Sequence, residues 1–155
     1  MDKKEILQRV APCSLMCHTC EAYEKGVICE SARRLLKYMD GAKEFHEKHN
    51  PSFVERYRIF EEELERCSSG ICSGCRNREH HGCSIKGCFI LDCTKDHGID
   101  FCGECGEFPC NKVSEIFEDE VYKQWLNGNR TIKDSGIDAY WLSRCDKSHY
   151  GAYKK

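Results

Sequence analysis

The chain has 155 residues, 14 of them cysteine, with 24 basic and 26 acidic side chains and a formal net charge of −2 at pH 7. That length holds one domain with a modest apolar core and excludes a (β/α)8 catalytic barrel. The acidic balance argues against a nucleic-acid binder, because counterion release from phosphate requires a basic surface.

The opening "MDKKEILQRVAPCSLMC" is charged and lacks the apolar stretch of ~7–15 residues that a secretory signal needs. Nowhere does a run of about 18 apolar residues predict a membrane span. The expectation is a cytoplasmic protein with reduced thiols, where abundant cysteine points to metal binding or redox chemistry and not to a disulfide framework. The first cysteine array follows at once: "CSLMCHTC" supplies Cys13, Cys17 and Cys20.

Residues 29–67 are dense in charge and nearly free of cysteine, and read as a helical insert. "SARRLLKYM" places Ala32, Leu35, Leu36 and Met39 on one face behind Ser31 as N-cap. "NPSFVERYRIFEEELERC" takes Asn50 as cap and Pro51 in its first turn, with Phe53, Tyr57, Phe60 and Leu64 as an apolar stripe that belongs to the core. His46 and His49 read as a solvated face and not as a ligand pair.

Three further arrays come next. "CSGC" gives Cys72 and Cys75, "CSIKGCFILDC" gives Cys83, Cys88 and Cys93, and "CGECGEFPC" gives Cys102, Cys105 and Cys110. A Cys-x-x-Cys turn puts both sulfurs on one side of a tight loop, where Ser or Gly lets backbone amides turn toward them, and two such knuckles close a tetrahedral site. Buried free cysteines have no reason to recur at ligand spacing. His80 and His81, in "NREHHGC", are the histidines nearest to the arrays; a polar loop is the favoured reading over ligation. A thioredoxin-type dithiol would follow a strand, and before Cys102 stands only "CTKDHGID", a helical turn ended at Gly98.

After the last array, "FPCNKVSEIFEDEVYKQWL" predicts a helix with Pro109 in its first turn and Val113, Ile116, Phe117, Val121 and Trp125 at helical spacing. Cys110 then falls in the first turn, where the amide dipoles favour thiolate over thiol, which suits a metal ligand and a reactive thiol alike. "IDAYWLSRC" predicts one more short helix before a polar tail expected to fray.

Arrays two to four, above all "CFILDCTKDHGIDFCGECGEFPC", resemble the signature of a family of short cysteine-rich bacterial and archaeal proteins of unknown function. Its pattern runs Cys-Gly-Leu-x-Cys-x-x-Cys, Cys-x-Gly-Cys, Cys-x4-Cys and Cys-x-x-Cys-x-x-Phe-Pro-Cys, and zinc binding is ascribed to its members. Cys88 and Cys93 match the third element; Cys102, Cys105, Phe108, Pro109 and Cys110 match the fourth. The likeness covers residues 13–20 and about 72–142, including "NRTIKDSGIDAYWL", with the helical insert as the variable part. Ser14 stands where the family pattern has glycine, and the tail "RCDKSHYGAYKK" lacks a second C-terminal cysteine seen in some members. The resemblance implies metal binding and leaves the activity open.

The arrays hold eleven cysteines, enough for two or three zinc ions per chain if a histidine completes the third, while Cys29, Cys67 and Cys145 stand outside. Thiolate tetrads with short spacings select zinc. The competitor is an iron-sulfur cluster, since "CSLMCHTC" has the triplet spacing of radical S-adenosylmethionine enzymes, but those enzymes need a barrel this chain cannot build. Each four-thiolate zinc site also adds two negative charges, which weighs further against nucleic acid. The resulting expectation is a single small metal-organised, α-rich domain over residues 1–155, with zinc-knuckle loops, short helices packed around them and little β-structure. Its function reads as a non-catalytic adaptor or regulatory module partnered by another protein, with a metal-dependent or redox enzyme as the alternative.

Overall fold

The computed structural model describes residues 1–77, 82, 83, 85 and 87–154, so His80 and His81 lie outside the described residues. Six α-helices run in the order α1 (Lys3–Arg9), α2 (Val27–Tyr38), α3 (Ala42–His49), α4 (Val54–Ser69), α5 (Ile90–Asp96) and α6 (Asp119–Arg144). The described residues contain no extended strand, only two isolated bridges, Val10 to Met16 and Tyr23 to Cys72. The α-rich class with little β-structure follows the sequence expectation.

Helix α1 is short and depends on its cap. Asp2 Oδ1 accepts from the Glu5 amide at 2.8 Å, and Glu5 Oε2 accepts in return from the Asp2 amide at 3.2 Å, so two otherwise orphaned donors are satisfied. Its inner face carries Ile6 into a core formed with Val10, Met16, Phe101, Ile132, Tyr140 and Trp141. A second core gathers Ala11, Cys13, Ile90, Val113, Phe117 and Trp125, with Cys17, Cys75, Cys102 and Cys110 packed partly buried at its edge.

Helix α6 joins the two cores. Its first part contributes Trp125 to one and its later part Ile132, Tyr140 and Trp141 to the other. At Gly136 (φ 81°, ψ 168°) the helix breaks, so the expected short helix around "IDAYWLSRC" is the second arm of one long element. Ile137 and Cys145 on that arm pack against the first core.

The insert folds as α2 against α4, with α3 between them in sequence. It begins earlier than Ser31 predicts: α2 starts at Val27 behind Gly26, because Cys29 and Ala32, the pair it buries, extend the apolar pattern backward. Leu35 and Phe60, assigned to the inward faces, are 45% and 43% exposed, so burial in the insert falls to Cys29, Ala32 and Tyr57. His46 is not on a solvated face, for its ring lies 4.7 Å from Phe53 and 5.4 Å from Tyr57. The base of the insert is tied down by Arg33, which donates to the carbonyls of Ser68 and Glu24, both at 3.0 Å.

Two further expectations change near the ends of the cysteine region. Residues Asn111–Glu115 form a 3-10 turn capped by an extended Cys110 (φ −95°, ψ 147°), so Cys110 precedes the turn and the α-helix starts only at Asp119. Val113 reaches the core from this turn and Phe117 from the link that follows it, a spacing of four that a helix would also give. The tail does not hang free: His149 Nδ1 contacts the Met16 carbonyl at 2.9 Å, Tyr150 Oη accepts from the Glu21 amide at 3.1 Å, and Tyr153 Oη donates to Glu118 at 2.5 Å.

Candidate metal centre

The first array is a compact loop. The Ala11 amide donates to Leu15 O at 2.9 Å, Ser14 N to Ala11 O at 2.8 Å and Cys20 N to Cys17 O at 2.9 Å, which turns Cys13, Cys17 and Cys20 around one loop. Ser14 sits in the left-handed region at φ 65°, a position where glycine carries no steric cost. The second array is stitched to the first by the Tyr23 to Cys72 bridge, with Cys72 N donating to Ala22 O at 2.9 Å and Glu24 N to Cys72 O at 3.0 Å. Cys102 N donates to Pro12 O at 3.1 Å, which brings the fourth array to the first.

In two loops the backbone turns amides toward sulfur. Gly74 N–H points at Cys72 Sγ at 3.4 Å, and Glu107 N–H at Cys105 Sγ at 3.5 Å. Such donors favour a charged sulfur over a neutral one.

The cysteines face each other in two neighbourhoods. In one, Cys75 is the hub: Cys17 hydrogen-bonds to it, and Cys13, Cys83 and Cys88 all feel its charge. Cys20 lies beside Cys17 and Cys72 beside Cys83. In the other, Cys102 feels the charge of Cys110, Cys93 and Cys105, and Cys93 in turn that of Cys110 and Cys105, while Cys102 also acts on Cys13, so the two neighbourhoods adjoin. The third array is thus divided. Cys83 and Cys88 join the first two arrays, while Cys93, carried on α5, joins the fourth. Among the described residues no three Cys, His, Asp or Glu side chains stand close enough together to hold a metal ion as they are.

Crowding raises the thiols. Burial pushes Cys13 well up, with Cys75 adding to it, and the Cys75 hydrogen bond followed by burial does the same to Cys17. Burial pushes Cys102 up to about 11 against the opposing influence of the Trp125 indole. That indole belongs to a fully buried ring and finds no well-formed hydrogen-bond acceptor; it faces the Cys102 sulfur.

Three residues that organise these loops carry no metal-ligand signature. Arg76 sends its guanidinium inward, donating to Leu7 O at 2.9 Å, Val10 O at 2.6 Å and Asp100 O at 2.5 Å, and lies 5.0 Å from the Phe101 ring centroid. Its charge faces Cys75, Cys17 and Cys13, and its place directly after the Cys-x-x-Cys turn was the only available signal. Asn129, fully buried, accepts from Gly103 N at 2.8 Å and donates to Cys13 O, Ser14 Oγ and Trp125 O at 3.2, 3.1 and 2.9 Å. It fastens the first array to the fourth. Trp125 is the third, visible in the sequence only as part of an apolar stripe.

A cavity of about 410 Å³ opens onto the hub neighbourhood, lined by Cys13, Cys75, Cys88 and Asp92 with apolar Ile90 and Leu91. No helix of the described residues is long and apolar enough to cross a membrane.

A family model described as a protein of unknown function, DUF3795, matches residues 9–115, more than half of the chain. The match takes in the helical insert and ends before α6. No curated protein and no solved structure matches.

Proposed function

The chain belongs to the DUF3795 family of unknown function, and from that premise and the cysteine geometry we propose that it is a zinc-binding adaptor or regulatory module whose metal sites are structural. Cys93, Cys102, Cys105 and Cys110 hold one zinc. Cys75 with Cys13, Cys17 and Cys88 hold another, and Cys20, Cys72 and Cys83 at their flank supply thiolates for a third. The zinc provides a crosslink between loops that bury little apolar surface of their own, so its binding free energy is folding free energy.

The observation that carries this reading is the Trp125 indole. A fully buried N–H without an acceptor is costly, and a neutral thiol is a poor partner for it. A metal-bound Cys102 thiolate is a good one. The amides aimed at Cys72 and Cys105 fit the same charge.

Single Cys→Ser variants test the reading. Cys102→Ser and Cys105→Ser each lower the zinc content by one ion and destabilise the fold far more than Cys29→Ser or Cys145→Ser. Equal, mild effects in all four contradict it.

The alternative, a redox or metal-dependent enzyme with an iron-sulfur cluster or a reactive zinc-thiolate, draws support from the cavity over Cys13, Cys75 and Cys88. Brown protein with acid-labile sulfide favours that alternative; colourless zinc protein favours the first.

A further inference from the structure

Helix α6 carries a row of polar residues on a partly exposed face. Lys123, Gln124, Asn127 and Thr131 follow one another at helical spacing and line one wall of a cavity of about 390 Å³, separate from the cysteine-lined one. The opposite wall is the loop Ser14–Met16 between Cys13 and Cys17, and the arm of α6 beyond Gly136 adds Tyr140 and Arg144.

Arg144 is half-buried. Its charge acts on Tyr140, whose hydroxyl donates to the Ser14 carbonyl. The ion pairs of the described residues involve Lys3, Lys25, Arg58 and Arg66, so neither Arg144 nor Lys123 has a carboxylate partner among the described residues. The side-chain amides of Gln124 and Asn127 make no hydrogen bond with other described residues. One carboxylate, the exposed Glu120, lines the same cavity and leaves it net positive.

We propose that this cavity binds a small organic anion, its carboxylate or phosphate oxygens paired with Arg144 and Lys123 and its polar remainder taken up by Gln124 and Asn127. The volume falls within the range of small-ligand pockets, ~300–1,000 Å³. A planar, half-buried guanidinium is suited to two-oxygen recognition, because its fork matches a carboxylate or phosphate edge. A bound anion rests against the loop that carries Cys13 and Cys17, so its presence is felt at the hub cysteines. The site uses no cysteine, and its test is independent of metal content.

Titration of the ¹⁵N-labelled full chain with inorganic phosphate and, separately, with succinate tests the proposal, with sodium chloride at matched ionic strength as reference. Saturable shifts of the Ser14–Met16 backbone amides and of the Gln124 and Asn127 side-chain amides are expected with at least one probe. Saturation by succinate alone assigns a carboxylate ligand and by phosphate alone a phosphorylated one. Affinity falls about tenfold or more in Arg144→Gln, as loss of a charge-assisted pair implies. Because Arg144 also acts on Tyr140, Lys123→Gln on the exposed rim repeats the test without touching the core, and Arg130→Gln, on α6 outside the cavity, serves as the unaffected control. Absence of saturation with both probes, or equal affinity in the Arg144 and Lys123 variants, overturns the proposal.

Discussion

At Trp125 two quantities come apart that a purely structural ring would move together. Trp125→Phe removes the indole N–H; the metal-free protein loses packing of a smaller ring, about 1–2 kcal/mol, offset by removal of an unsatisfied donor. Zinc affinity of the Cys102 site drops about 10–100-fold, as for other partners that support a metal ligand. Competition against a chromogenic chelator measures this, and unchanged affinity rejects the role. Asn129→Ala strips the Gly103 amide and the Cys13 carbonyl of their buried partner, for an expected loss of about 3 kcal/mol in urea unfolding. Neither role could be read from sequence, since both depend on which side of α6 meets which loop. Ser14 could be read in part. Its departure from the family's glycine was visible, but its left-handed φ of 65° and its bond from Asn129 were not.

Within "CGECGEFPC" the two glycines have different work. A Cβ on Gly103 would run into the backbone carbonyl of Asn129, which has no room to yield, whereas a Cβ on Gly106 meets nothing within 4 Å. Gly103→Ala is therefore expected to destabilise by about 2–3 kcal/mol through overpacking. Gly106→Ala stays within about 0.5 kcal/mol. Thermal unfolding of both variants checks the contrast, and comparable losses count against the docking of the fourth array on α6. At this scale α4 and the later arm of α6 were legible, because a long periodic stripe specifies a helix. The start of α2, the Asn111–Glu115 turn and the division of the third array were not. Spacing of three and four is met by one turn or by many, and Cys88 lies in the loop before α5 while Cys93 is carried inside it, a boundary that the Cys-x4-Cys spacing does not mark.

Over the whole molecule, the cysteine loops form a shell between α1, α5 and the two arms of α6, and the insert α2–α4 stands at the side, anchored by Arg33 and the Tyr23 to Cys72 bridge. The helical class was legible from the apolar periodicity of the insert and of the segment after the last array. The two-neighbourhood arrangement needed the tertiary fold, which alone decides that Cys93 sits with Cys102 and Cys88 with Cys75. If zinc organises that shell, its removal loosens residues 72–110 first and takes part of the helix content with it, since isolated helices of the insert's length are marginal in water. The most direct test is metal analysis by native mass spectrometry of protein purified without air, followed by circular dichroism before and after chelation. The account predicts colourless protein with two or three zinc ions per chain, and a partial loss of helix and a lower Tm once they are removed. Metal-free protein with the same circular dichroism and Tm would contradict it.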